Sequence, residues 1–259
     1  MRIYGVDFTS APRKAKPIAV ASAVAGRNAL RMEKLERLET FDAFEAFLAR
    51  PGPWVGGFDF PFGLAREAVL DLAWPARWPA LVAHCRALGR AEFKRALDAY
   101  RESRPAGNRY AKRRGDGASG AHPSVKLVNP PVGFMFLEGA PRLCAAGLHI
   151  PSLRAARDTR VALEAYPGLL ARRLGVRSYK SDDRRKWTPA HRAARRRILS
   201  ALKITMAERL QKEILQDGSG DLLDAVLCAV QAHWGWRRAA ENYGLPAGLD
   251  PLEGWIVSA

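Results

Sequence analysis

Two aspartates in this sequence each end a short apolar run and are each followed by phenylalanine. Asp7 follows the run Ile3–Val6, and Asp59 follows the run Val55–Phe58. A buried strand gains nothing from a carboxylate, whereas sites in open sheets form at the carboxyl ends of strands. We therefore expect both aspartates to project into a site. For either one alone, a hydrogen bond to a turn is the alternative explanation.

A second pair of acids opens the last strongly apolar segment. Asp221 and Asp224 are three residues apart, so on a helix both side chains point the same way from the first turn. A helix docked by its leucine and valine face would present them toward Asp7 and Asp59. An aspartate at a helix N-terminus is also an ordinary cap, which is the alternative for Asp221.

Glu164 is a further candidate because it lies inside the apolar run Val161–Tyr166. Its alternative is an outward strand residue paired with an arginine. Clustered carboxylates repel each other and raise each other's pKa, so we expect a bound cation to neutralise a cluster of this kind. Oxygen ligands favour a hard divalent ion, and we expect Mg²⁺ or Mn²⁺.

Hydrophobic periodicity predicts the elements that position these acids. Strands are predicted over residues 3–8, 18–24, 30–38, 54–60 and 161–166, and helices over 42–49, about 64–100, 189–202, up to about 216, and from 221 onward. This order predicts an α/β fold in which a mixed five-stranded sheet, a three-strand antiparallel meander plus parallel strands, is flanked by helices. We expect one domain over residues 1–259 with a helical and basic-loop insertion at about 64–150, in which residues 104–120 form a mobile loop.

The net charge of +16 is concentrated in two segments. Residues 86–114 contain 10 Lys and Arg against 3 acids, and residues 172–212 contain 14 against 3. Such blocks favour a nucleic-acid partner, DNA or RNA, because phosphate contacts release condensed counterions; a solvated helix face explains the same charge. The candidate contacts to a nucleic-acid backbone are Arg113, Arg114, Lys180, Arg184, Arg185 and Arg196.

Several other classes of protein lack support in the sequence. Cys85, Cys144 and Cys228 are too widely spaced for a disulfide framework or a structural zinc site. No window is long and apolar enough to span a membrane, and an acid at position 7 comes too early for a signal peptide. We expect a cytoplasmic protein without membrane contact, and no protein partner is indicated. The histidines show no ligand spacing, and neither a Gly-x-Ser-x-Gly elbow nor a phosphate-binding glycine loop occurs.

Four short motifs in this order resemble one known family. They are Gly5–Phe8, Phe58–Leu64, Glu164–Pro167 and Gly220–Ala225. The set is similar to domain-of-unknown-function family 429, whose members are described as predicted nucleases of the ribonuclease-H-like fold. By position, the resemblance implies Asp7, Asp59 and Asp224 as the principal metal ligands. It implies Glu164 and Asp221 as further catalytic candidates.

The function expected from these observations is a divalent-metal-dependent nuclease that hydrolyses phosphodiester bonds by a two-metal mechanism. Asp7 would bridge the two ions, and Asp59 and Asp224 would each complete one. One alternative is a non-catalytic nucleic-acid-binding domain whose carboxylates are structural. A second is an actin-like or sugar-kinase-like phosphotransferase, which the absence of a glycine-bearing hairpin after Asp7 disfavours.

Overall fold

A mixed sheet is the centre of the fold in the computed structural model, which describes residues 1–26 and 29–259. Its strands are β1 (Arg2–Asp7), β2 (Ile18–Ala25), β3 (Leu30–Leu38), β4 (Trp54–Asp59), β5 (Arg160–Glu164) and β6 (Ile204–Thr205). They lie in the order β5-β4-β1-β2-β3-β6. Strands β1 to β3 form an antiparallel meander, and β4, β5 and β6 pair in parallel with their neighbours. The predicted α/β class and mixed sheet are therefore confirmed.

The described sheet has six strands, so the prediction of five was wrong by one. The additional strand β6 contains only two residues, which pair with Leu30 and Arg31 at the edge of the meander. So short a segment has no periodicity that a sequence pattern could reveal.

Helices cover both faces of the sheet. They are α1 (Phe41–Leu48), α2 (Arg66–Asp71), α3 (Trp78–Ser103), α4 (Arg114–Ser119), α5 (Val132–Ala145), α6 (Pro167–Arg173), α7 (Pro189–Ala201), α8 (Glu208–Gln216) and α9 (Asp221–Trp236). Helices α2 to α5 all fall between β4 and β5, within the segment predicted as an insertion. In the described part of the chain, no helix is both long and apolar enough to cross a membrane.

The two faces of the sheet have different compositions. One face is strongly aromatic and includes Tyr4, Phe8 and Phe58, which contact rings from α1 and the segment after β4. The other face carries small and branched residues such as Ile3 and Val55 and is covered by α9. Because side chains alternate along a strand, Asp7 and Asp59 belong to the face that α9 covers.

Two glycines allow α9 to lie directly on the sheet. Gly5 and Gly57 are register partners on β1 and β4. A Cβ on Gly5 would lie 2.0 Å from the Ala225 carbonyl oxygen, and one on Gly57 would lie 2.4 Å from the Cys228 carbonyl oxygen. Only glycine permits this backbone approach, which brings the first turn of α9 to the ends of both strands.

The segment 104–120 differs from the mobile loop that was predicted. It contains α4, and Arg113 just before this helix is only 3 % exposed. The basic composition suggested a solvated loop, but two buried carboxylates hold Arg113 in the interior. Local composition gives no sign of such long-range ion pairs.

Candidate functional site

Asp7 and Asp59 lie side by side at the ends of two parallel strands. They are register partners, so their side chains leave the same face of the sheet. Asp7 is 8 % exposed, and Asp59 is partly buried. Neighbouring strands are about 4.8 Å apart, so the two carboxylates must share one site.

Helix α9 adds Asp224 and Asp221 to this pair. Asp224 has no exposed surface, and Asp221 is 7 % exposed. The helix starts after Gly220, whose φ of 77° is in the left-handed region. Asp217 caps it by accepting a 2.9 Å hydrogen bond from the Leu222 amide. Since Asp217 is the cap, the Asp221 carboxylate is left for other contacts.

Burial and the neighbouring carboxylates raise the pKa of three of these acids, Asp7, Asp59 and Asp224. Burial, followed by the charges of Asp221 and Asp224, raises the pKa of Asp7 well above its ordinary value. Burial and the charge of Asp224 raise the pKa of Asp59 to about 7. Burial also raises the pKa of Asp224, although Lys180 opposes the shift. Four carboxylates therefore act as one electrostatic cluster, which we call the carboxylate cluster (Asp7, Asp59, Asp221 and Asp224).

Two lysines provide the positive charge in direct contact with the carboxylate cluster. The Lys180 ammonium contacts Asp224 Oδ2. The Lys16 ammonium lies 2.9 Å from Asp221 Oδ1 and 3.0 Å from Asp182 Oδ1. Within residues 1–26 and 29–259, hydrogen bonds to the cluster end on Asp221 and Asp224, and none ends on Asp7 or Asp59.

The segment carrying Lys180 is held in place from three directions. The Tyr179 hydroxyl donates a 2.6 Å hydrogen bond to Asp224 Oδ1. The buried Arg195 donates to the Tyr179 carbonyl at 2.6 Å. The Lys180 stem packs against Gly220, where a Cβ would lie 2.6 Å from the lysine Cβ. The Lys180 side chain is 41 % exposed, although its ammonium contacts the fully buried Asp224.

Glu164 is not part of the carboxylate cluster. Its register partner is Phe58, so its side chain leaves the face opposite to that of Asp59. Arg113 binds it through two guanidinium nitrogens at 2.8 and 2.6 Å, and the Phe62 amide donates to it at 2.9 Å. Burial raises the pKa of Glu164, and the charge of Arg113 opposes this. Glu164 is thus a strand residue paired with an arginine, which was the alternative explanation. It differs from that alternative only in that its side chain points inward.

The six residues predicted to contact phosphates lie in three different environments: the interior, the carboxylate cluster and the surface. The guanidinium of Arg113 is buried in ion pairs with Glu164 and Asp116, so it cannot bind a phosphate. The prediction of Arg113 as a nucleic-acid contact was therefore wrong. Lys180 lies in the carboxylate cluster. The remaining four are exposed on the surface: Arg114, Arg184, Arg185 and Arg196.

Two adjoining cavities meet at the cluster. One, of about 450 Å³, is lined by Asp59, Asp224 and Lys180. The other, of about 430 Å³, is lined by Asp221 and Lys16. Asp182 lines both. A ligand in either cavity would therefore reach the carboxylates from a different side.

The donor set of the carboxylate cluster fits a hard divalent ion, because it consists of oxygens. Cys228 lies behind it, but burial raises the pKa of this thiol well above its ordinary value, so it is protonated and a poor ligand. As the side chains stand, no three His, Cys, Asp or Glu residues of the described chain are arranged to hold a metal. The Lys180 ammonium contacts Asp224 instead, and an ion there would require this lysine to move aside.

Sequence reasoning missed four residues that build the site. They are Lys16, Tyr179, Gly5 and Gly57. The glycines had a detectable signal, since each stands two residues before its aspartate and hence on the same face of its strand. Lys16 and Tyr179 reach the acids through long-range packing, for which the sequence shows no local pattern.

Comparison with known proteins gives one match. A family model described as "Protein of unknown function (DUF429)" matches residues 5–246, nearly the whole chain. Searches of curated proteins and of solved structures gave no match.

Proposed function

We propose, from the premise that this chain belongs to the family described as "Protein of unknown function (DUF429)", that it is a divalent-metal-dependent nuclease acting on DNA or RNA. The meander of β1 to β3 followed by the parallel strands β4 and β5 supports a ribonuclease-H-like fold. Fold alone does not carry the proposal, since one fold hosts many functions. The site carries it.

The supporting observation is that the buried carboxylate cluster contains more acidic groups than the lysines in contact with it can neutralise. Four carboxylates converge, and only Lys16 and Lys180 contact them with positive charge among the described residues. Asp7 and Asp59 accept no hydrogen bond there, and burial raises the pKa of both carboxyl groups. If all four carboxylates were ionised, the two lysines would leave at least two negative charges, which divalent metal would neutralise in place of protons. Burying them without a counterion would be strongly unfavourable.

Asp7, Asp59 and Asp224 would hold the ion, with Asp221 as a further ligand. Bound there, Mg²⁺ or Mn²⁺ would lower the pKa of a bound water and stabilise the leaving oxygen of a phosphodiester. The protein's own part is to orient these carboxylates. Register places Asp7 beside Asp59, and the Tyr179 hydroxyl fixes the Asp224 side chain.

Lys180 gives the site a cation that can move. Its stem is packed on Gly220, and its side chain is 41 % exposed. If Asp224 held a metal, the ammonium would be displaced from its oxygen and would be able to contact a substrate phosphate. The exposed Arg114, Arg184, Arg185 and Arg196 would contribute further backbone contacts, which position a strand without reading its sequence.

The proposal is tested with labelled DNA and RNA substrates of several structures, incubated with Mg²⁺, Mn²⁺ or EDTA. We expect cleavage only with a divalent ion, and its loss in Asp7→Asn. Asp42→Asn, an identical change at an exposed position of α1, is the matched control and should retain cleavage. Thermal stabilisation by Mn²⁺ should likewise be present in the wild type and the control and absent in Asp7→Asn.

Two outcomes would count against a metal-dependent nuclease site at the carboxylate cluster. Cleavage that survives Asp7→Asn, or that occurs equally in EDTA, would place the activity outside the carboxylate cluster. Tight, salt-dependent binding without cleavage of any substrate, and without stabilisation by Mn²⁺, would indicate a non-catalytic binding domain.

A further inference from the structure

Trp187 is an exposed aromatic ring whose position is set by the fold. It is 37 % exposed and is the only aromatic among the exposed large apolar side chains of the described residues. Its indole N–H donates a 2.8 Å hydrogen bond to the Ser181 carbonyl. One side of the ring packs against Gly218, where a Cβ would lie 2.1 Å from the indole. The ring is therefore held against Gly218, and about a third of the residue remains exposed.

This ring borders the cavity that leads to the carboxylate cluster. The cavity of about 430 Å³ is lined by Trp187, Lys14 and Arg184 and also by Asp221 of the carboxylate cluster. The volume lies within the range of about 300–1,000 Å³ that is usual for small-ligand sites. A ligand lying on Trp187 would thus extend toward the carboxylates.

The cavity lining carries four cationic and four acidic side chains, and two of the cations have no ion-pair partner among the described residues. Its acids already have partners: Asp182 and Asp221 bind Lys16, Glu213 binds Arg37, and Asp217 accepts from Ser219 and from the Leu222 amide. Lys14 and Arg184 are exposed and form no ion pair within the described residues. The Arg184 guanidinium lies 5.5 Å from the Trp187 ring centre. A partly exposed aromatic ring beside two cations without ion pairs matches a nucleotide, whose flat base could take the place of the Arg184 guanidinium on the ring while its phosphate meets the two cations.

We propose that this cavity binds an unpaired nucleotide of single-stranded DNA or RNA, with its base stacked on Trp187 and its phosphates at Lys14 and Arg184. The inference rests on the proposed nuclease function and specifies its substrate class. A base inside a duplex is already stacked on both faces and cannot use the ring unless it is flipped out. Single strands, or unpaired ends and loops, are therefore the substrates that this surface selects.

The test measures binding in EDTA, so that it does not depend on cleavage. Labelled single strands of about 12 nucleotides, of DNA and of RNA, and the matching duplexes are titrated by fluorescence anisotropy. We expect Trp187→Ala to weaken single-strand binding by about 5- to 150-fold, the range measured for loss of one base stack. Duplex binding, which uses phosphate contacts, should change less than about twofold.

Two variants separate stacking from folding. Trp187→Phe keeps an aromatic face and should bind single strands within about threefold of the wild type. Trp234→Phe is the matched control, since Trp234 also lies under an arginine, Arg238, at 4.0 Å. It is ten residues beyond Asp224 on α9, about 15 Å away along the helix. This variant should bind as the wild type does.

Two results with Trp187→Ala would overturn the inference. One is unchanged single-strand binding in Trp187→Ala. The other is an equal loss on single strands and duplexes. Divalent-dependent cleavage of duplexes by a wild type that binds no single strand would overturn the stacking site and leave the nuclease intact. Single-strand binding that depends on Trp187, without any cleavage, would support the stacking site and reject the nuclease.

Discussion

Replacing Asp59 with asparagine is expected to stabilise the metal-free protein at alkaline pH. Asp59 is ionised there, although burial and the charge of Asp224 raise its pKa from the ordinary 3.8 to about 7. An acid whose pKa is raised by folding binds its proton more tightly in the folded state. Its ionisation therefore destabilises the folded protein.

The size of the effect follows from the shift. A difference of about 3 pKa units, at about 1.4 kcal/mol per unit, sets an upper limit of about 4 kcal/mol. Asp59 is partly accessible to solvent, and Asp7 and Asp224 share the release of protons with it. We therefore expect Asp59→Asn to raise the free energy of unfolding by roughly 2 kcal/mol above pH 7.

The pH dependence identifies the cause. Below pH 4 the carboxyl is protonated in both the folded and the unfolded chain, so the destabilisation by Asp59 is absent. It grows as the pH rises from 4 to 7 and is complete above the folded-state pKa of about 7. The difference between Asp59→Asn and the wild type should grow over the same window, whereas Asp42→Asn should show no such growth.

Urea denaturation followed by circular dichroism, in EDTA at several pH values between 4 and 8, measures this difference. Adding Mn²⁺ at pH 8 should then stabilise the wild type and leave Asp59→Asn nearly unchanged, because the variant lacks a ligand. Two results would contradict this reasoning: an Asp59→Asn variant that is less stable than the wild type at pH 8 in EDTA, or a difference in stability that is the same at all pH values. Either would show that ionisation of Asp59 does not destabilise the folded protein.

Three further substitutions test the supports of the site by urea denaturation. Gly5→Ala places a Cβ 2.0 Å from the backbone of α9 and should lose at least about 3 kcal/mol, whereas Gly117→Ala, with no atom within 4 Å of its Cβ, should change stability little. Tyr179→Phe removes the hydroxyl that donates to Asp224 and should lose about 1–3 kcal/mol and weaken stabilisation by Mn²⁺; an unchanged response to Mn²⁺ would contradict its positioning role. Arg113→Met leaves two buried carboxylates without their partner and should lose about 3–5 kcal/mol; a neutral effect would show that the buried network is not required.

The strands and the acids at their ends could be predicted because both depend on local patterns. Short runs of apolar residues locate β1 and β4, and an aspartate just after such a run falls at the strand end in any register. These positions need no knowledge of the remaining fold. The register that places Asp7 opposite Asp59 is a finding of the structure and was not part of the prediction.

The position of Glu164 could not be predicted, because it depends on the parity of the register between β4 and β5. Glu164 pairs with Phe58 rather than with Asp59. A shift of one residue exchanges the two faces of a strand. The sequence pattern predicts the strand that contains Glu164. The residue of β4 that lies opposite Glu164 is determined only by the pairing of the two strands. The contact of Lys180 with Asp224 was not predicted for a related reason, since it joins segments 44 positions apart.

The same two-residue spacing connects the stability of the fold to the chemistry of the site. Gly5 stands two residues before Asp7, and Gly57 stands two residues before Asp59, so each glycine lies on the face of its aspartate. The glycines set how closely α9 approaches the sheet, and that approach sets how close Asp224 comes to the other carboxylates. A substitution that lifts α9 would separate the charges and relieve their repulsion. In the metal-free protein, this relief of repulsion would partly offset the loss of packing energy. Stabilisation by Mn²⁺ has no such offset, so it would fall in full as the carboxylates move apart.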